Sequence, residues 1–117
     1  MKNLERKRQR YLQDPLPIRL AGLAADLARV ASSARRVTGG DSVAEMLEES
    51  QYYIEWTAAE AEPKIAAELV DIQVMLALWR KAWPEAQYQQ TQRTLLSVQA
   101  KKWSDQIMDF SGLLDSG

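Results

Sequence analysis

The stretch Leu16-Pro17-Ile18-Arg19-Leu20-Ala21-Gly22-Leu23-Ala24-Ala25-Asp26-Leu27-Ala28-Arg29-Val30, with its continuation to Val37, decides the fold. Leu16, Leu20, Leu23, Leu27, Val30, Ala34 and Val37 alternate at spacings of four and three. That is the apolar stripe of a helix packed in a bundle or coiled coil. Small residues flank the stripe at Ala21, Gly22, Ala24, Ala25 and Ala28, where a neighbouring helix could approach closely. Asp14-Pro15-Leu16-Pro17 precedes this helix and Thr38-Gly39-Gly40 ends it.

The same punctuation divides the rest of the chain. Apart from Gly22, the glycines and prolines sit at or near the ends of helical patterns, and no segment alternates as a strand would. A short polar helix spans Asn3 to Gln13. Ser42-Val43-Ala44-Glu45 has the form of a capping box opening a third helix, whose apolar face is Val43, Met46, Leu47, Ser50, Ile54, Thr57, Ala58 and Ala61. Pro63 suits the first turn of a fourth helix, which runs to about Trp83. Pro84 is expected to separate it from a fifth covering roughly Glu85 to Leu114, burying Tyr88, Leu95, Leu96, Trp103, Ile107, Phe110 and Leu114. The expected fold is all-α: an antiparallel helical bundle of four main helices plus a short N-terminal helix. Residues 1–117 form one domain, with 1–13 as a peripheral basic helix.

At 117 residues and 46% hydrophobic content the chain can bury a core without staples. It has no cysteine and no histidine, which excludes disulfides, thiolate nucleophiles, Cys/His zinc sites and imidazole acid–base chemistry. Neither a signal peptide nor a membrane span is expected: the longest apolar run, Val74 to Trp79, falls far short of the roughly twenty residues a span needs. These features predict a cytoplasmic protein.

A net charge of −1 conceals segregation. Residues 1–40 hold nine Lys/Arg against three acids, and residues 41–71 hold one Lys against nine acids. The basic front, with Lys2, Arg6, Lys7, Arg8 and Arg10, could meet phosphates, but only Tyr11 offers a base a stacking platform; nucleic acid is the least favoured partner. Opposite surfaces pairing within an oligomer use the same charges equally well.

On a helical wheel the acids of the third helix, Glu45, Glu48, Glu49 and Glu55, gather opposite Val43. Tyr52 and Trp56 lie within that face, so both are candidate interface residues. The fourth helix is apolar nearly all round, through Ile65, Leu69, Val70, Val74, Met75, Leu78 and Trp79, and is therefore expected to be the most buried. Glu68 and Asp71 share one line on it and would need a cation, a cap or a basic partner. Trp79 and Trp83, one turn apart, are expected to pack inside.

Leu47-Glu48-Glu49-Ser50-Gln51-Tyr52 and Ala67-Glu68-Leu69-Val70-Asp71-Ile72 resemble the acidic motifs of the MazG-like all-α NTP pyrophosphohydrolases. That family carries Glu-Glu-x-x-Glu on one helix and Glu-x-x-Asp on the next. The resemblance implies Glu48, Glu49, Glu68 and Asp71 as Mg2+ ligands in a nucleotide pyrophosphohydrolase or a nucleotide-binding relative. Carboxylates suit magnesium, and metal-activated water can attack a phosphate. Tyr52 stands where the first motif has its third acid, with Glu45 or Glu55 as possible substitutes. Arg80, Lys81, Arg93, Lys101 and Lys102 are available to phosphates. The favoured expectation is a helical-bundle protein that acts by self-association, as a homodimer, or by binding a protein partner, with the magnesium-dependent hydrolase as the alternative.

Overall fold

The computed structural model describes residues 3–113. These form five α-helices and one 3-10 turn: α1 (Leu4–Leu12), α2 (Leu16–Ala34), the 3-10 turn (Val37–Gly39), α3 (Gly40–Ala58), α4 (Pro63–Ala86) and α5 (Gln90–Ser111). No strand occurs among the described residues. The expected all-α class therefore holds.

The stripe on α2 is the centre of the core. Leu20, Leu23, Leu27, Val30 and Ala34 are buried, Leu16 packs against the cluster from its edge, and Val37 is exposed in the 3-10 turn. α5 lies along α2 on its small-residue side. Ser97 Oγ donates to the Ala31 carbonyl and Ser104 Oγ to the Ala24 carbonyl, each at 2.7 Å. Hydroxyls reach a neighbouring backbone this way only when the helices touch closely, as Ala24 and Ala31 allow. The residue numbers run in opposite senses along the pair, so α2 and α5 are antiparallel. α3 covers a second side of α2 with Val43, Leu47 and Ile54, and α4 packs on α3 with Leu69, Ile72 and Leu76. Trp79 and Trp83 are buried as expected; Trp83 Nε1 donates to the Gly40 carbonyl at 2.9 Å and Trp79 Nε1 to Gln99 Oε1 at 2.8 Å.

Several expectations fail for identifiable reasons. The capping box does not form: α3 begins at Gly40 with no side-chain cap, so Ser42 already lies inside the helix. A capping residue needs extended backbone angles, which a helical residue lacks. Pro84 does not break α4, which continues to Ala86. Within the last turn a proline forfeits one intrahelical hydrogen bond and leaves little helix to disrupt. The break comes at residues 87–89, leaving Tyr88 78% exposed in the turn and Leu95 on the outer side of α5. Leu96, Trp103 and Ile107 are buried and Phe110 is half-buried; Leu114 and Lys2 lie outside the described residues.

The largest correction concerns α4. It is not the most buried helix: its core face is Leu69, Ile72, Leu76, Trp79 and Trp83, while Val70, Val74 and Leu78 point outward. α4 packs extensively on α3 and only sparsely on α5, which leaves its far side uncovered.

α1 is held on α3 by a buried tyrosine. The Tyr11 hydroxyl bonds the Arg19 carbonyl and Thr57 Oγ1, both at 2.9 Å, and burial pushes its pKa up to about 12. Arg19 closes the adjacent corner, donating to the Asp14 carbonyl at 3.0 Å and to both carboxylate oxygens of Glu60. Tyr11→Phe would leave the buried Thr57 hydroxyl without that partner. Urea unfolding should show a loss of about 1–3 kcal/mol, the cost of stranding a buried polar group; a loss near zero would mean that the bond contributes nothing net.

Candidate functional site

One flank of α2 brings together Ile18, Arg19, Gly22, Ala25, Asp26 and Arg29, the residues that flank the stripe. Opposite them stand Lys7, Arg10 and Tyr11 of α1, Asp14 of the connecting turn and Tyr53 of α3. Together these side chains line a cavity of about 410 Å³. That volume lies within the range of small-molecule sites.

At its base sits Asp26, 1% exposed. Its Oδ1 is held by Arg29, while Oδ2 has no hydrogen-bond donor among the described residues. Glu49 of α3 approaches it and is itself paired with Lys7. Two carboxyl groups this close cannot both ionise cheaply. Burial first, and then the Glu49 carboxylate, push the Asp26 pKa from 3.8 up to about 7, against the pull of Arg29. Glu49 moves the other way. Partial burial raises it, but hydrogen bonds from Asp26 and Lys7 outweigh that and hold it below its ordinary value. Below about pH 7 the pair is therefore expected to hold one proton, on Asp26. Tyr53 is also raised, by burial and then by the charges of Glu49 and Asp26.

The other acids singled out by the sequence lie elsewhere. Glu48 is half-buried and forms an ion pair with Arg80 at 3.7 Å, beside a hydrogen bond from Arg80 to Gln51. Glu68 is half-buried and Asp71 exposed, on a side of α4 that α5 does not cover, so neither requires the partner that burial would demand. Glu49 faces α1 and α2. Among the described residues no group of three or more acidic side chains gathers in a way that could hold a metal ion. The four residues implied as Mg2+ ligands therefore do not form one donor set.

Tyr52 and Trp56 find partners within the chain. Trp56 packs against Tyr11, Tyr52 and Tyr53, at centroid distances of 5.9, 5.6 and 5.9 Å, and Tyr11 stacks on Tyr53 at 4.1 Å. This aromatic cluster fastens α1 to α3, and its members Tyr11 and Tyr53 line the cavity. In the basic front, Lys7 bonds Glu49 and Arg8 pairs with Glu5, whereas the Arg10 side chain has no ion pair or hydrogen bond among the described residues.

Neither Asp26 nor Gly22 is among the site residues that the sequence suggested. Two signals mark them: Asp26 interrupts the edge of the most regular apolar stripe in the chain, and Gly22 is the one glycine away from a helix end. No family model, no curated protein and no solved structure matches the chain.

Proposed function

We propose that the protein acts by self-association, with two copies meeting through the outward face of α4. The observation that carries this reading is the second apolar side of that helix. Val70, Val74 and Leu78 recur every fourth residue opposite the core face and are 46%, 55% and 56% exposed. Leu95 and Val98 are also exposed, on α5. A row of exposed apolar side chains like that on α4 is unfavourable in water and marks an interaction site. A helix apolar on both sides is explained when one side meets the core and the other a partner.

A second copy of the chain is the occupant favoured here. Closed two-fold pairing of one patch with itself is the commonest oligomeric arrangement. Asp71 and Lys81 lie beside the stripe with opposite signs, which a two-fold pairing can bring together. In this reading the four long helices form an antiparallel bundle left open between α4 and α5, and the dimer covers the opening.

Light scattering after size exclusion tests it. The wild-type chain is expected to elute at twice its 13.3 kDa mass, and Val74→Glu or Leu78→Glu to elute at the single-chain mass with unchanged helical circular dichroism. A monomeric wild type, or dimers that survive both substitutions, would overturn the reading.

A further inference from the structure

We infer that the α4 helices of two copies meet antiparallel, with the two-fold axis beside Val74 and with Lys64 of each chain set against Glu85 of the other. This orientation rests on the self-association reading above and adds to it the direction and register of the pair. Its basis is the order of charges along the outward side of α4. The core face is formed by Leu69, Ile72, Leu76, Trp79 and Trp83. At the helical period Val70, Val74 and Leu78 fall on the opposite side, with Lys64, Asp71, Lys81 and Glu85 in or beside their row. All four charged residues are exposed, and none has an ion pair or a side-chain hydrogen bond among the described residues.

Read from the start of α4, these charges run plus, minus, plus, minus; read from its end they run minus, plus, minus, plus. Laid antiparallel, Lys64 therefore meets Glu85 and Asp71 meets Lys81, and the two-fold symmetry repeats each pair. The centres agree. The apolar row is centred on Val74, Lys64 and Glu85 on the bond between Val74 and Met75, and Asp71 and Lys81 on Leu76. This spread amounts to about 3 Å along the helix axis, which a lysine side chain spans. In a parallel pair every charge would face its own copy. Charges flanking a helix seam select the orientation in which unlike signs meet.

The helix dipole supplies an independent observation. Lys64 lies in the first turn of α4 and Glu85 in its last, with no acid in the first turn and no base in the last. The dipole favours the reverse placement, so both residues weaken α4 within a single chain. A partner helix running the other way removes the conflict, because it brings Glu85 to the positive end and Lys64 to the negative end.

The experiment compares full-length chains by light scattering after size exclusion over a dilution series. Lys64→Glu and Glu85→Lys are each expected to dimerise roughly tenfold more weakly than wild type, or worse. Their helical circular dichroism should be unchanged, because both substitutions suit the dipole. The chain carrying both substitutions should recover the wild-type dimer, as should an equimolar mixture of the two single variants. Single variants that dimerise as tightly as wild type would overturn the proposal, since a parallel pair predicts that result. Weakening by Lys64→Glu alone would reflect net charge and would overturn it too. The chain has no cysteine, so introduced thiols report proximity directly. In a glutathione redox buffer, Val70→Cys and Leu78→Cys chains are expected to form a disulfide with each other when mixed and not each with itself. Crosslinking of either variant to its own copy would overturn the antiparallel register. A monomeric wild type overturns both this orientation and the self-association reading, whereas a wild-type dimer without these charge effects overturns the orientation alone.

Discussion

Asp26→Asn is expected to stabilise the protein by about 2–4 kcal/mol at pH 8 and by about 1–2 kcal/mol at pH 5. In the folded chain the Asp26 proton is retained up to about pH 7, whereas in the unfolded chain it is lost near 3.8. Between those values the folded state binds the extra proton, so stability falls as pH rises through the window and stays low above it. Each unit of difference corresponds to about 1.4 kcal/mol, which gives about 4 kcal/mol as the upper limit for this carboxyl. Asparagine keeps an oxygen for Arg29 and offers an N–H toward Glu49, reproducing the protonated acid without its titration. Glu49 contributes in the opposite sense. Its lowered pKa adds stability that is present above the ordinary carboxylate value and disappears as pH falls through its folded pKa. Urea unfolding from pH 4 to pH 8 should show a downward slope in the wild type and a flatter line in the variant. Parallel lines would mean that Asp26 is ionised in the fold at all these pH values.

Gly39→Ala should be the most damaging of the conservative glycine substitutions. A Cβ at Gly39 would lie 2.2 Å from the Ser33 carbonyl oxygen, a backbone atom held by the end of α2. The chain there turns from α2 through the 3-10 segment into α3 with no extended linker, and only a residue without a side chain lets the two backbones come this close. The backbone angles at Gly39, φ −88° and ψ 3°, do not themselves require glycine; the lack of space does. Overpacking against backbone costs about 1–3 kcal/mol. Gly40→Ala meets only the flexible end of Gln87, which can swing aside, and should cost far less. Gly22→Ala should gain up to about 1 kcal/mol, because alanine is the better helix former and its methyl group meets nothing. Melting temperatures of the three variants should therefore rank Gly22→Ala highest and Gly39→Ala lowest. Equal losses at Gly39 and Gly40 would show that the turn relaxes.

The helices were legible because the local rules and the tertiary packing agree along most of the chain. The stripe from Leu20 to Ala34 became the core, Pro63 opened α4, and Trp79 and Trp83 went inside. The readings that failed were those in which a strong local signal met a neighbour the sequence does not reveal. Ser42 and Glu45 have the spacing of a cap, yet the 3-10 turn delivers the chain already coiled. Val70, Val74 and Leu78 have the character of core, but no helix among the described residues covers them.

The candidate site follows the same division. By itself the sequence determined that this chain is helical, that α2 carries a regular packing stripe and that thiolate and imidazole chemistry are excluded, because periodicity and composition are properties of the linear chain. The tertiary structure alone decided which acids matter. Glu48, Glu49, Glu68 and Asp71 look alike on a helical wheel, but the packing of α4 on α3 sends them to different surroundings. Asp26, one acid among sixteen Asp and Glu residues, is distinguished by the closure of α1 and α3 over it. Burial and the approach of a second carboxylate set a proton's affinity, and both are created only when distant segments meet.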